Sequence, residues 1–271
     1  MVLLVKDVIK FLEEKFPPNL ALDWDNIGLH IGDVNQEVCT IMVTLEATTD
    51  VVEEAINRNV DLIIAHHPFI FSPLKSIDYS TPKGKNIKKL IQNNIALYVM
   101  HTNYDIATGG MGDVLAEKIG LIDVKPFSMI DEIHGEGRVG KLEKAKNLDE
   151  LSNSIYENLA PHISFVNKVE GKNTDNIKVV AVIGGSGGKY IYEAKKAGAD
   201  VLVTGDVKYH DAVDAKDIGL SILDIGHYAE VVMEERVAEL LDKQFDIEII
   251  VQSVAENPIW QMRWEDGNNK D

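Results

Sequence analysis

Apolar residues recur at helical spacing in the opening segment "VLLVKDVIKFLEEKF", with charges between them, which predicts an amphipathic helix. The mixed charges and the lack of a small-residue cleavage site argue against a secretory signal. The turn-rich stretch Phe16 to Asp33 stops the helix. Next, "CTIMVTLEATTDVVEEAINRNVDLIIAHH" (Cys39 to His67) reads strand, helix, strand. The segment "KVVAVIGGSGGKYIYEAKKAGADVLVTGD" (Lys178 to Asp206) reads the same way. Aligning Val43 with Val182 brings Glu54 onto Glu193, Ala55 onto Ala194 and Asp61 onto Asp200 without a gap. Each segment continues through a further helix and a buried strand, one ending at His101 and the other at His227.

Alternating β and α patterns of this length predict an α/β fold built on largely parallel strands. We expect two α/β repeats, 1–125 and 126–271, facing one site. Lys125 to Lys146 holds turn residues but no flexible low-complexity linker. The tail "EDGNNKD" is expected to fray.

The chain has 271 residues, 45% hydrophobic and 26% charged, which fits a globular protein with a sizeable core. A formal charge of -17 makes nucleic acid and anionic membrane unlikely partners. No run of about 20 apolar residues predicts a membrane span. The single cysteine, Cys39, excludes an internal disulfide and suits a cytoplasmic location; it is assigned no chemistry.

Chemistry concentrates at the predicted strand ends: His66 with His67, His101 with Asp105, Asp206 with His210, and His227 with Glu230. Ligands of open α/β sheets bind outside the carboxyl ends of the strands. Imidazole and carboxylate suit zinc, manganese or iron, and the lack of thiolates disfavours a Cys-rich structural zinc site. A helix starting after Gly226 would put His227 and Glu230 on one face. Adjacent histidines on a regular strand point to opposite sides, so the strand must end near His66 for both to serve one site. Leaving the strand, each could then bind a different ion of a pair bridged by a carboxylate. His101 is left open between a ligand, a residue behind one, and a substrate contact. His30, His134 and His162 are read as surface or structural residues.

The glycines of "GGSGG", Gly184 to Gly188, could cradle a phosphate but lack the phosphate-loop ending, so a tight turn with close packing is the stronger reading. The acids around Trp24 read as a solvated turn, with Asp23 and Asp25 as alternative outer partners of a metal.

The segments "LDWDNIGLHIGD", "LIIAHHPFIFSPLKSI", "HTNYDIATGGMGDVLA", "GRVG", "GADVLVTGDVKYH" and "DIGHYAE" resemble the Nif-three-like family, whose members carry the name GTP cyclohydrolase 1 type 2 homologue. They occur in the family's order through nearly the whole chain, which is too short for the inserted domain of longer members. The resemblance implies two intertwined α/β repeats, a dinuclear metal centre and a ring-shaped homohexamer. Carried over motif by motif, it makes His66, His67, Asp105, His227 and Glu230 the metal ligands, with Glu230 bridging.

Three positions depart from the family's pattern: Glu46 replaces an aspartate, Gly112 replaces an asparagine, and His227 to Glu230 is one step shorter than in many relatives. The activity that the resemblance implies is a hydrolase with two divalent metal ions acting on a nucleotide or small phosphorylated molecule, with a GTP cyclohydrolase-like reaction as the version that the family's name suggests. Asp206 or His210 would shuttle the proton, and Lys208 could meet a phosphate. The rival reading is a non-catalytic metal-binding or regulatory protein acting through protein partners.

Overall fold

The computed structural model describes residues 2–160 and 162–259. The expected fraying at 265–271 lies outside them.

Helix α1 (Val5–Lys15) opens the chain, buries Val5, Val8 and Leu12, and has its first turn fastened by the Asp7 carboxylate, which accepts from the Leu4 N–H. A 3-10 turn (Pro18–Leu20) and short strand β1 (Gly28–Ile31) follow. Strand β2 (Thr40–Thr44), α2 (Thr49–Asn57), β3 (Leu62–Ala65), α3 (Pro82–Gln92) and β4 (Ala96–Val99) then alternate. Helices α4 (Thr102–Ile106) and α5 (Met111–Ile119) lead to the hairpin of β5 (Ile122–Met129) and β6 (Gly135–Lys146). The second round comprises α6 (Leu148–Leu159), β7 (Asn167–Val169), β8 (Ile177–Ser186), α7 (Ile191–Lys196), β9 (Val201–Gly205), α8 (Tyr209–Ile218) and β10 (Ser221–Asp224). A 3-10 turn (His227–Val231), α9 (Val232–Asp242) and β11 (Glu248–Val251) close it.

The strands form two sheets, ordered β1-β4-β3-β2-β11 and β5-β6-β8-β9-β10-β7. In each, three parallel strands form the centre and a short antiparallel strand, β1 or β7, closes one edge. The other edge is exchanged. Strand β11, at the end of the second round, joins β2 in the first sheet, while the β5–β6 hairpin after the first round joins β8 in the second. This exchange is what intertwines the repeats. The first sheet is parallel except at β1, whereas the second has antiparallel pairs on both flanks.

The central strands are buried on both faces, so they read as continuous apolar runs. Alternate residues serve different cores: Ile41, Val43, Leu62 and Ile64 face the core shared by the two sheets, while Met42, Ile63 and Ala65 face a smaller one. The aspartates matched in the repeat do the same work twice. Asp61 accepts from the N–H groups of Cys39 and Thr40, and Asp200 from those of Lys178 and Val179, each tying the start of one strand to the start of the next. Among the described residues no helix is long and apolar enough to cross a membrane.

Candidate metal centre

The regular strand β3 stops at Ala65. The His66 and His67 N–H groups still donate to the carbonyls of Thr44 and Leu45, so the backbone stays tied to β2 while both rings reach one cluster. Their ring centroids are 5.2 Å apart. His101 arrives from the end of β4, with its ring 5.1 Å from that of His66. His227 arrives from beyond β10, 5.1 Å from the ring of His67. The segment after Gly226 begins as a 3-10 turn rather than an α-helix. Residues three apart eclipse one another in that geometry, which stacks His227 over Glu230.

Three imidazoles are hydrogen-bonded from behind, and the fourth has a carboxylate within ion-pair distance. His66 Nδ1 donates to the Met100 carbonyl at 2.9 Å. His101 Nδ1 meets Asp25 Oδ1 at 2.8 Å, and His227 Nδ1 meets Asp206 Oδ2 at 2.6 Å. His67 Nδ1 lies 3.9 Å from Glu46 Oε2. The Nε2 atoms are thereby left for the centre. Those of His67 and His227 lie 3.1 and 3.2 Å from Glu230 Oε2, and that of His66 lies 3.5 Å from Asp105 Oδ1 and 3.9 Å from Glu230 Oε2. Two groups, sharing His66, bring ligand atoms within 4.8 Å of one another: His66, His101 and Asp105, and His66, His67 and Glu230.

Burial pulls His66 down to about 3, so it is neutral, with its Nε2 lone pair inward. Burial also opposes charge on His67, but the Glu230 and Glu46 carboxylates outweigh it and push the ring up to about 10. The hydrogen bond to Glu230 lifts His227 to about 9. Glu230 is buried, which alone would raise its carboxyl, yet the His227 and His67 bonds hold it well below the usual carboxylate range. Asp105 is raised well above that range by burial and by the charge of Glu230. His66 Nε2 and Asp105 Oδ1 are both buried without a hydrogen-bond partner. A neutral imidazole lone pair and a carboxyl oxygen 3.5 Å apart, neither of them hydrogen-bonded, fit a cation between them, whose charge would hold Asp105 ionised. The nitrogen and oxygen donors fit a borderline-to-hard divalent ion.

Glycines make the room. A Cβ on Gly184 would come within 2.6 Å of Glu230 Oε1, and one on Gly185, at φ +55°, within 3.0 Å. The Gly187 N–H donates to Thr204 Oγ1. The glycine-rich stretch thus ends strand β8 against the cluster, and its Gly184, Gly185 and Ser186 also line the cavity beside it. Gly112 likewise leaves space for Arg138, since a Cβ there would lie 3.1 Å from the arginine Cγ. Arg138 is buried, pairs with Asp113, and donates to the Ile106 and Ala107 carbonyls immediately after Asp105.

The ligand residues expected from sequence, His66, His67, Asp105, His227 and Glu230, all come together here, and His101 joins them. Asp206 bonds the outer nitrogen of His227. His210 does not reach the cluster; it is exposed on α8 with its ring against Tyr209. Lys208 is exposed at the start of α8, whereas Lys189 lines the cavity beside the cluster. Of the two acids around Trp24, Asp25 has its side chain buried against His101 and Thr102, and their hydrogen bonds overcome that burial and hold it down at about 2. Asp23 remains exposed. His30 pins a loop, His134 pairs with Asp131 in the β5–β6 turn, and His162 stands 4.0 Å from Glu235.

A cavity of about 550 Å³ opens beside the cluster, lined by residues of both repeats, including Trp24, Phe71, Glu136 and Tyr190. A second, of about 330 Å³, reaches His67 and His227 from the side of Phe165 and Tyr228.

The model of Duf34/NIF3 (NGG1p interacting factor 3) matches residues 3–258. The chain belongs to the NIF3 family. A GTP cyclohydrolase 1 type 2 homolog of Clostridium perfringens is 36% identical over 264 residues, covering 94% of this chain and 98% of that protein. The homolog from Bacillus subtilis is 30% identical over 365 aligned positions, covering 93% of this chain and 97% of its own, so it carries residues that this short NIF3 chain lacks. Among solved structures, a hypothetical protein of Staphylococcus aureus superposes with a TM-score of 0.89 at 32% identity, over 97% of this chain and all of its own. A Bacillus cereus protein related to NIF3 reaches the same TM-score at 28% identity, over 96% of this chain and 99% of that one.

Proposed function

We propose that this NIF3 protein is a dinuclear-metal-dependent hydrolase of a nucleotide or small phosphorylated substrate, with GTP ring opening as the version that its relatives' name suggests. The observation that carries the reading is an orphaned pair, His66 Nε2 and Asp105 Oδ1, of which Asp105 lines a cavity large enough for a small molecule. His66, His101 and Asp105 would hold one ion, His67 and His227 the other, and Glu230 would stand between them. Bound divalent ions supply Lewis acidity and bring the pKa of water toward neutrality.

The chain's own residues fix the ligands. Met100, Asp25, Glu46 and Asp206 orient the imidazoles from behind, which sets which nitrogen faces inward. In this reading Asp206 positions His227, and His210 takes no part. A metal-storage or purely regulatory protein would use the same ligands. The adjoining cavity favours the enzyme, since storage needs no chamber walled by both repeats.

The reading also takes the chain to be cytoplasmic and to assemble as a homohexamer, for which the exposed Ile130 and Ile133 at the β5–β6 turn would supply buried surface. A monomeric mass in light scattering would remove that part.

The test is product analysis by mass spectrometry. Manganese- or zinc-loaded protein is incubated with GTP and a panel of nucleotides and phosphate esters, beside Asp105→Ala. Turnover that disappears in the variant is expected. Full metal occupancy with no turnover on the whole panel would favour the regulatory reading.

A further inference from the structure

Trp24 and Phe71 stand at the cavity wall with 55% and 57% of their surface exposed, although both belong to loops that are firmly tied. Exposed tryptophan is costly in water, and a pair of exposed aromatics beside a cavity is a feature that a ligand can repay. Their ring centroids lie 5.9 Å apart at 46°. Trp24 also meets the His101 ring edge-on, again at 5.9 Å, so its surface borders the metal cluster.

The backbone around each aromatic is fixed by polar contacts. The Leu22 N–H donates to Thr102 Oγ1, and Asp25 is held by His101 and Thr102. The Trp24 loop is then laced to the Phe71 loop. Asn26 Nδ2 donates to the Ile70 carbonyl, and the Ile70 N–H donates to His30 Nδ1 at 3.1 Å. The His30 ring returns the link, with Nε2 donating to the Asn26 carbonyl at 3.0 Å. Accepting through one nitrogen and donating through the other requires a neutral ring. Two exposed rings on loops laced to each other by hydrogen bonds are prepositioned for a flat partner.

We propose that Trp24 and Phe71 form the stacking platform for a planar nitrogen heterocycle of nucleobase size, and so decide which substrates the metal centre receives. A ring on Trp24 lies beside His101, which puts the heterocycle, rather than a distant phosphate, next to the metal ligands. The same cavity's lining supplies both kinds of edge partner, the Glu136 carboxylate and the Lys189 ammonium, with the latter 4.7 Å above the Tyr190 ring. The proposal rests on the hydrolase reading for its biological sense, but binding tests it without turnover.

Full-length, manganese-loaded protein is titrated calorimetrically with guanosine and adenosine, and with ribose 5-phosphate as a ring-free phosphate probe. At least one nucleoside should bind about tenfold or more tightly than ribose 5-phosphate. Trp24→Ala should weaken that binding about tenfold or more while keeping wild-type metal content, and Trp24→Phe should stay within about threefold of wild type because a π-face remains. Phe71→Ala should fall between them. Wild-type affinity in metal-replete Trp24→Ala, equal binding of ribose 5-phosphate, or no nucleoside binding at millimolar concentration would each overturn the platform. Lack of turnover with Trp24-dependent nucleoside binding would instead count against the hydrolase and leave the platform standing.

Discussion

The carboxyl ends of β3 and β9 occupy equivalent places in the two repeats but carry different chemistry. After β3 come His66 and His67, both in the cluster; at the end of β9 stand Gly205 and Asp206, of which Asp206 touches the centre only through His227. Gly205 answers a steric demand, since a Cβ there would lie 2.6 Å from the Gly226 carbonyl carbon and 2.7 Å from the His227 nitrogen. The strand end that brings no imidazole lets the next segment pass close and deliver one. Asp61 and Asp200 kept the same structural work in both repeats, so the scaffold is duplicated while the cluster's side chains are divided unequally between the strand ends. The lesson is that equivalent positions of a repeat need not share a role in its site.

Breaking the division at its centre should have the largest effect. Glu230→Ala removes the carboxylate shared by His67 and His227, and bound metal measured by plasma mass spectrometry should fall to a small fraction of wild type. The equivalent positions should then separate. His67→Ala removes a proposed ligand and should likewise strip most of the metal, whereas Asp206→Ala only frees the His227 ring and should weaken metal affinity by about 10–100-fold, read by competition with a chelator. Equal losses at the two positions would erase the distinction between the strand ends.

A smaller effect is expected at Gly184. Its added methyl would press on Glu230 Oε1, the movable end of a side chain, so Gly184→Ala should lower metal affinity by about tenfold while the protein still folds.

The last prediction touches no proposed ligand. Glu234 is buried on α9, accepts from the Leu45 N–H and from Gln252, and is pushed up from 4.5 to about 7 by burial. A carboxyl raised on folding stabilises the protein fully below its unfolded value near 4.5, and that contribution is lost as the pH rises through about 7. The difference amounts to about 3 kcal/mol. Urea melts of metal-free protein should therefore lose stability across this window, and Glu234→Gln should flatten the slope.

The central strands and both helix–strand alternations are legible in the sequence because burial on two faces writes an unbroken apolar run. The cluster is legible because its ligands sit where those runs stop. Strands β1, β5, β7 and β11 are not, since they are short or half-exposed and take their order from partners far along the chain. The exchange of β11 and the β5–β6 hairpin leaves no local pattern at all. Grips from behind the ligands are also hard to read. Asp25 lies far in sequence from the His101 that it holds, and Glu46 stands out in the sequence only as a departure from its family. Asp206 and His210 look alike as polar residues after a strand, and only the fold turns one toward the cluster and the other to solvent.

The most direct test of the account is metal stoichiometry. Chelator-stripped protein would be reloaded with manganese or zinc, freed of excess by gel filtration, and assayed for metal and protein in the same sample. About two ions per chain are expected, dropping to one or fewer in Asp105→Ala. A single ion in the wild type, or two retained without Asp105, would contradict a centre divided between the two repeats.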